Sequence, residues 1–305
     1  MATLVFDIGG TTTRAGLFDV ATSTLLRTRS APTPNHLDFP RLPFHELSQM
    51  LFDRMDRLGS ELVEACEVSE VGVAFAGPVA PSGEVLAAPT VWGTIDEPFA
   101  LEGRLAPLWP RARIRVLNDV TAAGYRHVRR GGDFCIVTVS SGIGNKVFVG
   151  GRPLVGPSGL GGELGHLRVA DAPACECGGI GHLGAIASGR GVLALARDEQ
   201  ARPALTAGDL VAAFHRRDSW AVSAIERGAT PLGRAIAAVH LGVGIERFVL
   251  VGGFALALGE RYRQLVARGA AVHCWTGGWP ARLELGAHDD FAGLIGAGIA
   301  TGGAA

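Results

Sequence analysis

Four short β-rich runs in this chain each run into an acidic or glycine-containing turn. They are TLVFD before IGGTTT (residues 3–13), RIRVL before Asn118 and Asp119, FCIVTV before SSGIGNK (134–146), and RFVLV before Gly252 and Gly253. Between them, apolar residues recur at helical spacing. They do so at Leu47, Leu51, Met55, Leu58 and Leu62 over Phe44–Cys66, in VTAAGYRHV beside Asp119, over about 192–247, and from near Phe291 onward. Strands that alternate with helices, with polar chemistry gathered at the strand ends, specify the α/β class. Ligands of such folds bind outside the strand ends.

The remaining runs fit the same plan. RAGLFDV (14–20) reads as a strand joined to the first by the glycine-rich bend, VGVAFAGPV (71–79) as a buried strand ending in a Gly-Pro turn, and VFVGGRPLV (147–155) as a hairpin turning at Gly150 and Gly151. Residues 31–40 carry three prolines and read as loop, and 156–191 read as glycine-rich and irregular. Thr206 with Asp209 three residues on reads as a helix N-cap. A length of 305 residues suggests about two domains, with the boundary near 119–133, and a core large enough to need no disulfides. Cys66, Cys135, Cys175, Cys177 and Cys274 are an odd set with one tight C-x-C, which fits a reducing cytoplasm better than a disulfide framework. A formal net charge of −1 gives no pull toward nucleic acid or an anionic membrane. No apolar run is long enough to span a bilayer, so a soluble, cytoplasmic protein is expected.

Five segments carry candidate chemistry. In DIGGTTTRAGL, Gly9 and Gly10 let the backbone approach a phosphate, Thr11 and Thr12 offer hydroxyls and amides to it, and Asp7 can hold magnesium through water. The alternative is a plain hairpin turn. SSGIGNK offers a second phosphate loop at Ser141 and Gly142, although it lacks Walker A spacing. Lys146, the only lysine in the chain, is a point charge for a phosphate or a solvated surface residue. Gly252 and Gly253 would let an adenosine lie against the backbone. Asn118 and Asp119, at a strand end, can orient a sugar hydroxyl and accept its proton. The same pair can cap the helix that follows, and the two roles are compatible. Finally, His166, Cys175, Cys177 and His182 supply four ligands of the kind zinc prefers, the alternative being ordinary thiols and loop histidines.

Taken in order from Asp7 to Ala300, these segments resemble the ROK family of sugar kinases and repressors, the group that contains the bacterial glucokinases. GELGH (162–166) with CECGGIGH (175–182) is the most specific part. The resemblance implies a two-lobed actin-like ATPase (ribonuclease H-like) fold with a central cleft. Its smaller lobe would be 1–120, with the C-terminal helix of about 291–305 packed back on it, and its larger lobe 121–290 would carry the zinc loop. It implies Asp119 as catalytic base, Asn118, Asp119, Glu163 and His166 as sugar contacts, ATP and Mg2+ as donor and cofactor, and a structural zinc ion. The activity implied is phosphorylation of the 6-hydroxyl of a hexose, either glucose or an amino-hexose such as kanosamine or glucosamine, by a homodimer or homotetramer. The alternative is a non-catalytic, sugar-responsive regulator of the same family. Repressors of the family carry an N-terminal helix-turn-helix, whereas here the first strand begins at Thr3. Three departures stand out. His182 takes the place of the family's third zinc cysteine. Gly184 takes the place of a glutamate near the sugar's anomeric end. Ser140, Asn145 and Lys146 are unusual in the second phosphate loop.

Overall fold

The computed structural model describes residues 2–63, 68–275, 279–287 and 289–302. The elements begin β1 (Ala2–Ile8), β2 (Thr12–Asp19), β3 (Thr24–Pro32), α1 (Phe44–Val63), β4 (Glu70–Phe75), α2 (Leu101–Leu105), β5 (Arg113–Asn118) and α3 (Asp119–Val128). They continue with β6 (Phe134–Val139), β7 (Ile143–Val149), β8 (Arg152–Pro153), a 3-10 turn at Leu164–His166, α4 (Leu183–Ala187) and α5 (Gly189–Glu199). The last are α6 (Ala207–Arg216), α7 (Ser219–Val243), β9 (Arg247–Val251), α8 (Gly253–His273), β10 (Arg282–Leu285) and α9 (Ala292–Gly302). The class is α/β, as expected. The chain divides into two compact units, Met1–Gly131 with Pro153–Gly161 and Asp289–Ala305, and Gly132–Arg152 with Gly162–His288.

The first unit is built on a five-stranded sheet ordered β3-β2-β1-β4-β5. β1, β4 and β5 run parallel, and β2 and β3 add antiparallel. Successive side chains of a strand point to opposite faces. Leu4, Phe6 and Ile8 of β1 therefore pack with Leu47, Leu51 and Met55 of α1, while Val5 packs with Leu294 and Ala297 of α9 on the other face. All nine of these side chains are fully buried. Each contributes on the order of 1.5–3 kcal/mol, with less for alanine. α9 comes so close to α3 that a Cβ at Gly296 would lie 1.7 Å from the Ala122 carbonyl oxygen, an approach only glycine permits. Its C-terminal carbonyls are taken by cationic side chains of β5, Ala300 O by Arg115 and Thr301 O by Arg113.

The second unit repeats the plan, with a five-stranded sheet ordered β10-β9-β6-β7-β8. β10, β9 and β6 are parallel, and β7 returns antiparallel on β6. Cys135, Val137 and Val139 of β6 pack with Ile225, Leu232 and Ile236 of α7 and Leu258 and Val266 of α8. The Thr206–Asp209 capping box at the start of α6 is formed in both directions. No helix among the described residues is long and apolar enough to cross a membrane.

Some elements differ from the sequence reading. β3 carries no apolar alternation because it is an edge strand whose side chains are mostly exposed, and it runs through Ala31 and Pro32, which read as loop. Proline is tolerated there because the edge leaves its missing N–H unneeded. The stretch read as irregular over 156–191 contains α4 and the start of α5, the latter capped by the Ser188 hydroxyl. The helix read over Phe44–Cys66 is α1 to Val63, and residues 64–66 lie outside the described residues. The C-terminal helix is α9 to Gly302, and 303–305 also lie outside them.

Candidate active site

In the first unit, the parallel strands β1, β4 and β5 bring Asp7, the turn after Phe75, and Asn118 to one end of the sheet. Asn118 is the N-cap of α3, its Oδ1 accepting from the Thr121 N–H at 3.1 Å. Its side-chain NH2 donates to Gly77 O and to Asp119 Oδ1, each at 2.9 Å. Asp119 Oδ1 also accepts the Val120 N–H at 2.9 Å. The capping reading of Asn118 therefore holds, and capping is what fixes the plane of the adjacent Asp119 carboxylate.

Asp7 sits one residue before the end of β1, paired across the hairpin with Arg14. Arg14 Nη1 lies 3.8 Å from Asp7 Oδ2. The carboxylate lies over the first turn of α9, so near that a Cβ on Gly293 would stand 2.6 Å from Asp7 Cγ. Burial pushes the Asp7 carboxyl up to about 7; the negative charge of Asp119 adds to the rise and Arg14 opposes it. The two carboxylates thus share one electrostatic environment at one sheet end. The turn between β1 and β2 is closed by a hydrogen bond from Gly9 N to Thr12 O. Thr33 braces it, donating its hydroxyl to Gly9 O at 2.8 Å and its N–H to Thr11 O at 3.0 Å. A Cβ at Gly10 would meet Thr90 at 3.1 Å, so close packing, rather than an unusual backbone angle, favours glycine there.

In the second unit, β6 and β9 are parallel and end together, with Thr138 beside Val251. Ser141 and Gly142 therefore lie at the same sheet end as Gly252 and Gly253. Gly252 has a φ of 95°, and a Cβ there would meet Val139 O at 2.6 Å. Gly253 opens α8 and faces open space. The Ser140 carbonyl accepts the Gly189 N–H, and the Ser141 carbonyl accepts Nε of Arg190 at 3.0 Å. Arg190 also pairs with Glu176, between the two loop cysteines. It thereby ties the CECGGIGH loop to the 140–142 turn.

His166, Cys175, Cys177 and His182 each offer one ligand atom, and these atoms lie within 4.8 Å of one another. Around a tetrahedral zinc ion such atoms stand roughly 3.3–3.8 Å apart, so this set can hold one with a small contraction. Cys177 Sγ is already 3.1 Å from His182 Nδ1. The loop is folded by backbone bonds from Cys175 N to Gly179 O and from Gly178 N to Cys175 O. A Cβ at Gly179 would strike the His182 ring at 2.3 Å. Glu163 is the N-cap and His166 the last residue of the 3-10 turn of the same segment, joined by a backbone hydrogen bond from His166 N to Glu163 O. Gly184 lies on α4 against that turn, where a Cβ would sit 3.1 Å from Gly165 O. Lys146 is buried at 3% exposure, so the reading of it as a solvated surface lysine is overturned.

Three contributors escaped the sequence reading: Arg14, Thr33 and Arg190. Arg14 carried a signal, since a hairpin turning at Gly10 and Thr11 places residues 7 and 14 opposite each other. Thr33 and Arg190 come from distant segments and carried none.

The ROK family model matches residues 3–301. A C(7)-cyclitol 7-kinase of Streptomyces hygroscopicus is 37% identical over 97% of this chain and 92% of its own length. Among solved structures, a ROK hexokinase from Thermus thermophilus superposes with a TM-score of 0.80 at 28% identity, covering 98% of this chain and 97% of that one. A ROK family glucokinase from Streptomyces griseus, solved with glucose and AMPPNP, gives a TM-score of 0.78 at 25% identity and covers 98% of each chain.

Proposed function

The chain belongs to the ROK family, and from that premise we propose that it is an ATP-dependent kinase for the primary, exocyclic hydroxyl of a six-membered polyol ring. That chemistry covers the 6-hydroxyl of a hexose, including glucose, glucosamine and kanosamine, and the 7-hydroxyl of a C7-cyclitol. The observation that carries the reading is the Asp7–Asp119 pair: two carboxylates at one sheet end, each within electrostatic reach of the other. Phosphoryl transfer to an alcohol needs one acidic group for the metal of the nucleotide and one to take the proton.

In this reading Asp119 accepts the proton of the acceptor hydroxyl. The oxygen then forms a bond to the γ-phosphorus as the bond to the ADP oxygen breaks. Asn118 orients that hydroxyl while holding Asp119 in place, and Glu163 and His166 bind other ring hydroxyls. Asp7 would hold the magnesium ion of Mg-ATP, whose charge offsets the negative charge on the phosphates during transfer. The turns at Gly9–Thr12, Ser141–Gly142 and Gly252–Gly253 would present backbone N–H groups to the nucleotide. His166, Cys175, Cys177 and His182 would hold zinc, which supplies a fixed point for the loop and no chemistry at the phosphate. A coupled assay with Mg-ATP across hexoses, amino-hexoses and C7-cyclitols tests the whole reading. Acceptor binding without ATP consumption would instead support the non-catalytic regulator.

Within the acceptor class, the similarity to a cyclitol kinase and the glycine at position 184 both favour the carbocycle. A cyclitol has no ring oxygen and no hemiacetal hydroxyl, the anomeric group that a glutamate at 184 would bind. Gly184→Glu is accordingly expected to raise kcat/KM for glucose relative to a C7-cyclitol by roughly tenfold, the worth of one charge-assisted hydrogen bond. The Gly165 carbonyl must give by a few tenths of an ångström to admit the new Cβ. A preference that does not move, in a variant that melts normally, would separate Gly184 from specificity.

Metal removal gives a second check. Purified protein is expected to carry about one zinc ion per chain by elemental analysis, and chelation or Cys177→Ala to release it. Acceptor KM should then rise, because Glu163 and His166 sit on the segment the metal fixes. Full activity in a metal-free preparation would defeat the zinc assignment.

A further inference from the structure

Lys146 lies near the middle of β7, and its side chain is 3% exposed. A lysine is rarely buried this far unless a partner holds its charge. The segment 162–165 folds over β7 at this point. A Cβ on Gly162 would stand 3.2 Å from Lys146 Nζ and 2.7 Å from Asn145 O. Asn145, buried to the same degree as Lys146, accepts the Leu164 N–H on its Oδ1 at 3.0 Å. A Cβ on Gly165 would meet Ile143 O at 2.3 Å. The residues on either side of Glu163 are thus clamped to β7, and the ammonium comes to rest beneath them.

Burial lowers the Lys146 pKa, and the negative charge of Glu163 works against that fall. The thiol of Cys135, also nearby, is pushed up to about 12 and stays neutral at physiological pH. Glu163 therefore supplies the opposing carboxylate.

We propose that Lys146 is a positioning residue for Glu163: its buried ammonium orients the carboxylate toward the hydroxyls of the acceptor, and it does not act on the phosphates of the nucleotide. Asn145 completes the device by fixing the backbone one residue further on. The inference rests on the reading of Glu163 as an acceptor contact. Lys146 suits the task because its charge is a compact point charge that lies under a glycine.

The test is a kinetic double-mutant cycle on the intact enzyme with Mg-ATP and its best acceptor. Lys146→Met keeps the aliphatic stem and removes the charge. It should raise acceptor KM at least about tenfold and leave the KM for ATP within about twofold. Glu163→Gln should raise acceptor KM by itself, and adding Lys146→Met should raise it no further. A rise in the KM for ATP would return Lys146 to the phosphates, and effects that multiply would show that the two residues act independently. Either result overturns the proposal. Should Lys146→Met fail to fold, Lys146→Gln retains a donor and is read in the same way. The same four proteins unfolded in urea report the pairing without turnover. Coupling in unfolding combined with no wild-type activity on any polyol would sink the acceptor reading and the positioning role while leaving the ion pair intact. Absence of coupling in unfolding would remove the pair itself.

Discussion

Asp119→Asn is expected to fold normally and to lose at least about 100-fold in kcat. The carboxylate's hydrogen bonds to Val120 and Asn118 pass to the amide. Oδ1 remains an acceptor for the Val120 N–H and the Asn118 side chain, and the N-cap of α3 is Asn118 rather than Asp119. What the amide lacks is basicity, so positioning survives and proton acceptance does not. A melting temperature near wild type together with collapsed turnover is the expected pair of results. A second readout follows from the neighbouring charge. Asp119 helps hold the Asp7 carboxyl at about 7, so its neutralisation should let that group fall toward the ordinary carboxylate range. The acid limb of the residual activity should accordingly move to lower pH. Near-wild-type turnover in the variant would remove Asp119 from the base role.

The fold class and the ends of the strands were legible in the sequence because β1, β5, β6 and β9 each stop at the residues of the candidate site. The four candidate ligand side chains of the second unit could be read from residue type and spacing alone, and their ligand atoms come together within 4.8 Å. What the spacing could not convey was how the loop folds. Gly179 makes room for the His182 ring, and Gly162 and Gly165 let the segment lie on β7. These are contacts across the chain that no local pattern records. The same long-range packing hid Lys146. Read alone it is a charged residue on a strand, and the arrival of residues 162–165 helps bury it. β3 was missed for the opposite reason, since an edge strand with exposed side chains has no apolar pattern to show. The excursion of Pro153–Gly161 into the first unit also lacks a local signature. A Cβ on Gly159 would stand 2.7 Å from the Val79 carbonyl oxygen, a fit that only the folded chain defines.

Asp7→Asn should make the unliganded protein more stable while nearly abolishing its activity. In the wild type, burial and the charge of Asp119 raise the Asp7 carboxyl from 3.8 to about 7, and Arg14 at 3.8 Å only partly compensates. Below pH 3.8 the group is protonated in both the folded and the unfolded chain, so it contributes no penalty. As pH rises the unfolded chain ionises first, the folded state loses ground, and the loss is complete above about pH 7. The variant lacks that titration. Its advantage should therefore grow between about pH 4 and 7 and level off beyond, reaching on the order of 1–3 kcal/mol once the burial of the amide is allowed for. Activity should run the other way, because in the proposed reading the ionised carboxylate holds the metal of the nucleotide. Wild-type affinity for Mg-ATP should weaken as pH falls below about 7, and Asp7→Asn should lose at least about 100-fold in kcat at pH 8. Thermal melts of both proteins from pH 5 to 8 with Mg-ATP titrations decide it. A stability difference that does not change with pH, or a variant that turns over at the wild-type rate, would mean that this carboxylate is packing and not a metal-binding group held in an unfavourable place until the nucleotide arrives.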